Sequence, residues 1–229
     1  MSTVTDPQSA RADKIRVAVV TGGHPFDVPA FRDMFNRMSQ LDVYIQDLDN
    51  WAASKQDGTY DTYDVFLFYN MHTWGVLSVR KDMDQYITNA LNELGEGRQG
   101  IFVLHHALLA FPDLHVWSDI CDAQNRKLRG FRPPEPIRTL VANREHPVTK
   151  GLDDWETVDE IFLIGTPSEA SEILLRTDHP ESMEALAWVH PHKNARVLCY
   201  QAGHDSRAFT DPNYQAFLSR GIEWLAGRR

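Results

Sequence analysis

The sequence predicts an α/β fold: a mostly parallel central sheet with helices on both faces and an antiparallel hairpin at its edge. Short apolar, β-branched runs recur through the first half, a pattern that suits strands buried on both faces. Amphipathic segments at helical spacing separate several of them, so the order strand, helix, strand, strand, helix, strand implies parallel pairing through crossovers. Near the C-terminus two apolar runs flank a short polar turn, the signature of a hairpin.

The first strand is "IRVAVV", Ile15 to Val20, closed by the breaker "TGGHP". In "VPAFRDMFNRMSQL", Phe31, Met34, Phe35 and Met38 share one helical face and Pro29 sits near the start, where a missing N–H does no harm. "DVYIQDL" supplies a second strand and Val65 to Tyr69 a third. "SVRKDMDQYITNALNELGEG" predicts a helix with Met83, Ile87 and Leu91 on its buried stripe and Gly95 and Gly97 as stops. "IFVLHH", from Ile101, is the next buried strand.

The second half is less regular. "FRPPEPIRTLVA" predicts a Pro-rich loop entering a strand near Ile137 to Ala142, and "EIFLIG" and "EILLRT" are further short strands. "EALAWVHPHKNARVLCYQAG" gives the hairpin, turning at His192 to Asn194. "DPNYQAFLSRGIEWLAG" closes the chain as a helix with Asp211 as N-cap and Pro212 in its first position. There is no internal repeat.

A chain of 229 residues with 42% hydrophobic content can bury a full core, so one domain is expected over residues 15–229, behind a disordered tail at residues 1–14. The net charge of -9, without basic blocks, argues against a nucleic-acid partner. No apolar run approaches the roughly 20 residues that span a bilayer, so no membrane partner is expected. The polar start lacks a signal peptide's apolar segment and the chain has only Cys121 and Cys199, which together point to the cytoplasm. Self-association into a homo-oligomer is left open.

In an open parallel sheet, ligands bind beyond the carboxyl ends of the strands. That edge collects His24 and Asp27 after the first strand, Asn70 and His72 after the third, His105 and His106 after "IFVL", and His204 and Asp205 after "VLCYQ". One histidine after a strand is ordinarily a hydrogen-bonded structural residue; five of the chain's ten at one edge are a candidate site. Imidazole there can move protons, ligate a borderline metal such as zinc, or hydrogen-bond hydroxyls, and spacing does not choose among these. In "DDWETVDEIFLIG", Asp159 and Glu160 precede an apolar run, a position that can aim one carboxylate into a cleft.

The resulting assignment makes His106, His204, His24 and Glu160 the catalytic candidates and gives Asp27, Asn70, His72, His105 and Asp205 to substrate binding. A divalent metal would fall to His24, His106 and His204. Strand alternation lets only one of His105 and His106 face the crevice, and His106 is the choice. Trp74 and Trp117 follow strand ends and are candidates for an apolar wall against a sugar ring. Neither cysteine sits in a nucleophile motif, and no G-x-S-x-G or compact metal motif occurs.

The blocks "VAVVTGGHPFDVPAFRDMF", "YDVFLFYN", "GIFVLHHALLAFP", "HPVTKGLDDWETVDEIF", "ALAWVHPHKNARVLCYQAGHD" and "FLSRGIEWLAG" resemble, in that order, the ThuA-like family associated with trehalose utilisation. The likeness runs from about Val17 to Gly227. It implies a flavodoxin-like three-layer α/β/α fold, similar to class I glutamine amidotransferases. In those relatives a Cys occupies the turn after a central strand, and a His with a Glu two residues beyond follows a later strand. Here the turn carries His105 and His106, the later His corresponds to His204, and Ser206 stands in place of the Glu, so amidotransferase activity is not implied. The resemblance implies carbohydrate catabolism, with a small-molecule sugar, a disaccharide or its 3-keto derivative, as substrate of a hydrolase, lyase or isomerase. The alternative is a non-catalytic sugar-binding or regulatory module on a degenerate amidotransferase fold.

Overall fold

The computed structural model describes residues 13–73, 81–123 and 125–229. Strands β1 (Ile15–Gly22), β2 (Leu41–Asp47), β3 (Val65–Asn70), β4 (Gly100–Leu104), β5 (Gly130–Val141), β6 (Trp155–Leu163), β7 (Glu172–Arg176), β8 (Ala185–His192) and β9 (Ala195–Tyr200) form one sheet in the order β2-β1-β3-β4-β9-β8-β7-β5-β6. From β2 to β9 every pairing is parallel, and from β9 to β6 every pairing is antiparallel. The expected hairpin is β8–β9, and three further strands extend it.

Alternation along the central strands splits the core into two layers. Val17, Val19, Leu67, Phe102 and Leu198 point to one face, which is covered by α1 (Val28–Asn36), α5 (Ser206–Thr210) and α6 (Pro212–Leu225). Ala18, Val20, Phe66, Phe68, Ile101 and Val103 point to the other, under α2 (Leu48–Ala53), α3 (Asp84–Asn92) and α4 (His115–Cys121). Each fully buried aliphatic or aromatic side chain contributes roughly 1.5–3 kcal/mol. Asp27 caps α1 by accepting from the Ala30 N–H, and Asp211 caps α6 through the Asn213 and Tyr214 N–H groups, with Pro212 in the first position as expected. Among the described residues no helix is long and apolar enough to cross a membrane.

The structure corrects the second half. The Pro-rich stretch expected as a loop is the first part of β5, tolerated because its pairing is with β6 alone until Leu140 and Val141 meet β7. Prolines remove ladder donors, which an edge permits, and the register slips between Arg132 and Glu135 around Pro133 and Pro134. β6 begins at Trp155, ahead of the expected "EIFLIG", and carries Asp159 and Glu160 inside the strand. The short helices α2, α4 and α5 carry too few turns for periodicity to reveal them. Of the expected tail, residues 1–12 lie outside the described residues, as do Ser78 to Arg80 at the start of the helix before Gly95.

Candidate functional site

The site forms where β4 ends. Leu104 is still extended, but His105 adopts φ of 54°, a left-handed conformation that costs a non-glycine residue energy and turns the chain sharply into a 3-10 turn, His105–Leu109. Arg126 secures the turn from below. Its buried guanidinium donates to the carbonyls of Leu108, Ala110 and Phe111, and the indole N–H of Trp117 donates to that of Ala107.

The turn sends the two histidines to different places. His105 is 1% exposed; its Nδ1 lies 2.7 Å from the Gln201 carbonyl oxygen and its Nε2 lies 3.3 Å from Nδ1 of His204. A carbonyl only accepts, so His105 carries its proton on Nδ1 and presents a lone pair at Nε2. Burial, reinforced by the neighbouring His106, holds its pKa well below the usual imidazole range and keeps it neutral. His106 lines the cavity, and His105 reaches the cluster through its Nε2.

Glu160 joins the imidazoles. Its Oε1 lies 2.7 Å from Nε2 of His106 and its Oε2 lies 3.4 Å from Nδ1 of His204. His204 Nδ1 thus faces two acceptors, His105 Nε2 and Glu160 Oε2, so this nitrogen bears the proton and Nε2 is left as the base. The ring of His24 packs edge-on against His106 at 4.5 Å and stands 5.9 Å from that of His204. Burial and the two nearby imidazoles lower the pKa of His24.

Glu160 arrives from the far end of the strand order because the β5–β6 ribbon, held to β7 at only two residues, packs against the segment that follows β9. The Gln201 side-chain amide donates to the Phe162 carbonyl, and the buried Asp159 carboxylate accepts from the Gly203 and His204 N–H groups at 2.6 and 3.0 Å. A third bond comes from the Glu160 N–H. Burial pushes the Asp159 carboxyl up to about 7, against the downward pull of these three donors. Tyr69 donates to the Gly203 carbonyl. Gly203 has φ of 124°, and a Cβ there would come within 2.5 Å of the Tyr214 hydroxyl, so glycine is required.

One donor atom each from His105, His106, Glu160 and His204 lies within 4.8 Å of the others. Three imidazoles and a carboxylate suit zinc or a similar divalent cation, and the His105 Nδ1–H bond to a backbone carbonyl is the outer support that metal-binding histidines usually have. His24, expected as a ligand, is not one of the four, while His105, expected to bind substrate, is.

Other expected residues are engaged elsewhere. Asp27 is the α1 cap. Asp205 caps α5 through the Arg207 N–H and pairs with the Arg207 guanidinium, so its carboxylate serves local structure. Asn70 Nδ2 lies 3.0 Å from Nδ1 of His72, whose ring stacks on Phe111. Trp117 is fully buried and cannot face a ligand; Trp74 lies outside the described residues. Asp159 is the residue that the sequence left unassigned. Its signal was a carboxylate inside an apolar alternation, one position from Glu160 and therefore on the opposite face of the strand.

The profile of the ThuA family, described as trehalose utilisation, matches residues 16–225. Among curated proteins, none matches the sequence. Solved structures with the same fold include a ThuA-like protein from Parabacteroides merdae, 18% identical with a TM-score of 0.70 over 93% of this chain and 90% of that one. A cytoplasmic protein from Salmonella typhimurium is 11% identical with a TM-score of 0.68, covering 92% of this chain and 99% of its own. A glutamine amidotransferase from Thermotoga maritima is 10% identical with a TM-score of 0.59, covering 93% and 98%.

Proposed function

Because this chain belongs to the ThuA family, whose description is trehalose utilisation, we propose that it is a cytoplasmic enzyme of carbohydrate catabolism acting on a disaccharide or its 3-keto derivative. The observation that carries this reading is the convergence of His105, His106, Glu160 and His204 beside an open cavity, with His24 against them. A scaffold has no need to bring four donor groups from three separate segments within reach of one ion.

His204 is the base: its Nδ1 proton is held between Glu160 and His105, and Nε2 accepts a proton from the substrate. In a 3-keto sugar the hydrogen on the carbon beside the ketone is acidic, and this is the proton such a base removes. His106, tied to Glu160, and His24 are the imidazoles that line the cavity beside this base. A divalent cation bound by His105, His106, Glu160 and His204 would instead supply Lewis-acid polarisation of a carbonyl or water, with His204 then a ligand and not the base. The elbow residue is an imidazole and both cysteines are buried, which supports a reaction without a thiol nucleophile.

The test is metal analysis of untagged protein purified without chelators, followed by turnover of trehalose, maltose and their 3-keto derivatives. His106→Ala and His204→Ala should each abolish turnover and leave the thermal midpoint within a few degrees of wild type. Full activity in both variants would falsify the assignment. The absence of a thiol at the elbow also favours a second reading, a sugar-binding module without turnover; tight calorimetric binding of a sugar that is never converted, with any metal added, would select it.

A further inference from the structure

Few large hydrophobic side chains are exposed in the described residues, and two of them, Leu128 at 40% and Phe131 at 62%, stand together at the mouth of the candidate site. Phe131 is on β5 and pairs in register with Phe162 of β6. Phe162 is fully buried, with its ring 5.7 Å from that of His105 and 6.0 Å from that of His106. Strand pairing therefore fixes Phe131 one side chain away from the imidazoles. The prolines at 133, 134 and 136 stiffen the strand that carries it and blunt its free edge against pairing with another chain.

The cavity between this aromatic ring and the His106–Glu160 pair has a volume of about 180 Å³. That is well below the roughly 300–1,000 Å³ that encloses a drug-sized ligand, and it matches one six-membered ring more closely than the two of a disaccharide. Its lining combines apolar side chains, Phe131, Leu128 and Leu109 among them, with the hydrogen-bonding groups of His24, His106 and Glu160. The C–H face of a sugar ring packs on an aromatic face while its hydroxyls point to hydrogen-bonding groups.

We propose that Phe131 is the specificity-determining platform of this site: it stacks one pyranose ring against the His106–Glu160 pair, while the second ring of a disaccharide remains outside. The inference rests on the carbohydrate reading above and adds the residue and the ring count. Phe131 touches no reacting atom and acts on binding.

The experiment is calorimetry and steady-state kinetics on the full chain with 3-keto-trehalose, trehalose and the single-ring methyl 3-keto-glucoside. Phe131→Ala should weaken binding and raise KM about tenfold while kcat changes less than about twofold, and Phe131→Tyr should restore both. The single-ring ligand should bind within about tenfold of its parent disaccharide. Unchanged affinity in Phe131→Ala, or a ligand that needs both rings, overturns the platform and leaves the carbohydrate reading standing. Failure of wild type to bind any of the three sugars overturns that reading and the platform with it. If light scattering shows a dimer that Phe131→Ala dissociates with sugar affinity intact, the ring serves a second copy of the chain and the platform is refuted.

Discussion

Oε1 of Glu160 lies 2.7 Å from Nε2 of His106, so a strand of the antiparallel half supplies the acid for an imidazole on the turn that ends a parallel strand. The carboxylate fixes the orientation of His106 and, through its second oxygen, reaches His204. Glu160→Gln keeps the shape and removes the charge. It should reduce kcat by about 10²–10⁴-fold and weaken any bound divalent cation, with circular dichroism unchanged. Retention of both turnover and metal would remove Glu160 from the chemistry.

Asp159 holds the other side of the same strand to the His204 segment. In Asp159→Ala the buried Gly203 N–H and the half-buried His204 N–H lose their acceptor, at a cost of about 2–4 kcal/mol in urea unfolding. Asp159→Asn, which keeps one acceptor oxygen, should lose less. Equal stability of the alanine variant and wild type would show that water replaces the carboxylate.

Arg126 is 6% exposed and donates to three carbonyls in and after the histidine turn and to the Ser118 hydroxyl. Arg126→Met fills much of the space and leaves those acceptors unpaired. The expected loss is about 3 kcal/mol, together with lower activity because His106 is no longer held. Chemical denaturation and the same kinetic assay test both.

Burial lowers the pKa of His24, His72, His105, His146 and His192 from 6.5. Below about pH 6.5 the unfolded chain therefore binds more protons than the folded one, and stability is lost as pH falls. Asp159 works in the opposite sense, because its folded value of about 7 lies above its ordinary 3.8 and its contribution is lost as pH rises through 7. With five groups against one, the thermal midpoint should drop by roughly 5 °C between pH 7.5 and pH 5.5. A midpoint that rises over this range would mean that Asp159 dominates.

Local pattern determined the parallel half of this protein. Short, fully apolar runs such as Val65 to Tyr69 suit strands covered on both faces, and the spacing of Phe31, Met34 and Phe35 has a buried helix face as its outcome. The rule that loops meet at the carboxyl edge of such a sheet placed His24, His105, His106 and His204 together, because parallel pairing fixes where strands end. Tertiary structure decided the rest. Whether a capping carboxylate such as Asp27 or Asp205 faces a ligand or its own helix depends on competition with nearby N–H donors, which spacing does not rank. Glu160 and Phe131 reach the site only because β5 pairs with β7 at two residues and the β5–β6 ribbon packs against the segment after β9. That contact spans 39 to 45 positions of sequence and the Glu160–His106 bond spans 54, and the driving force is burial of Phe162 and satisfaction of Asp159, neither of which is written in any local period.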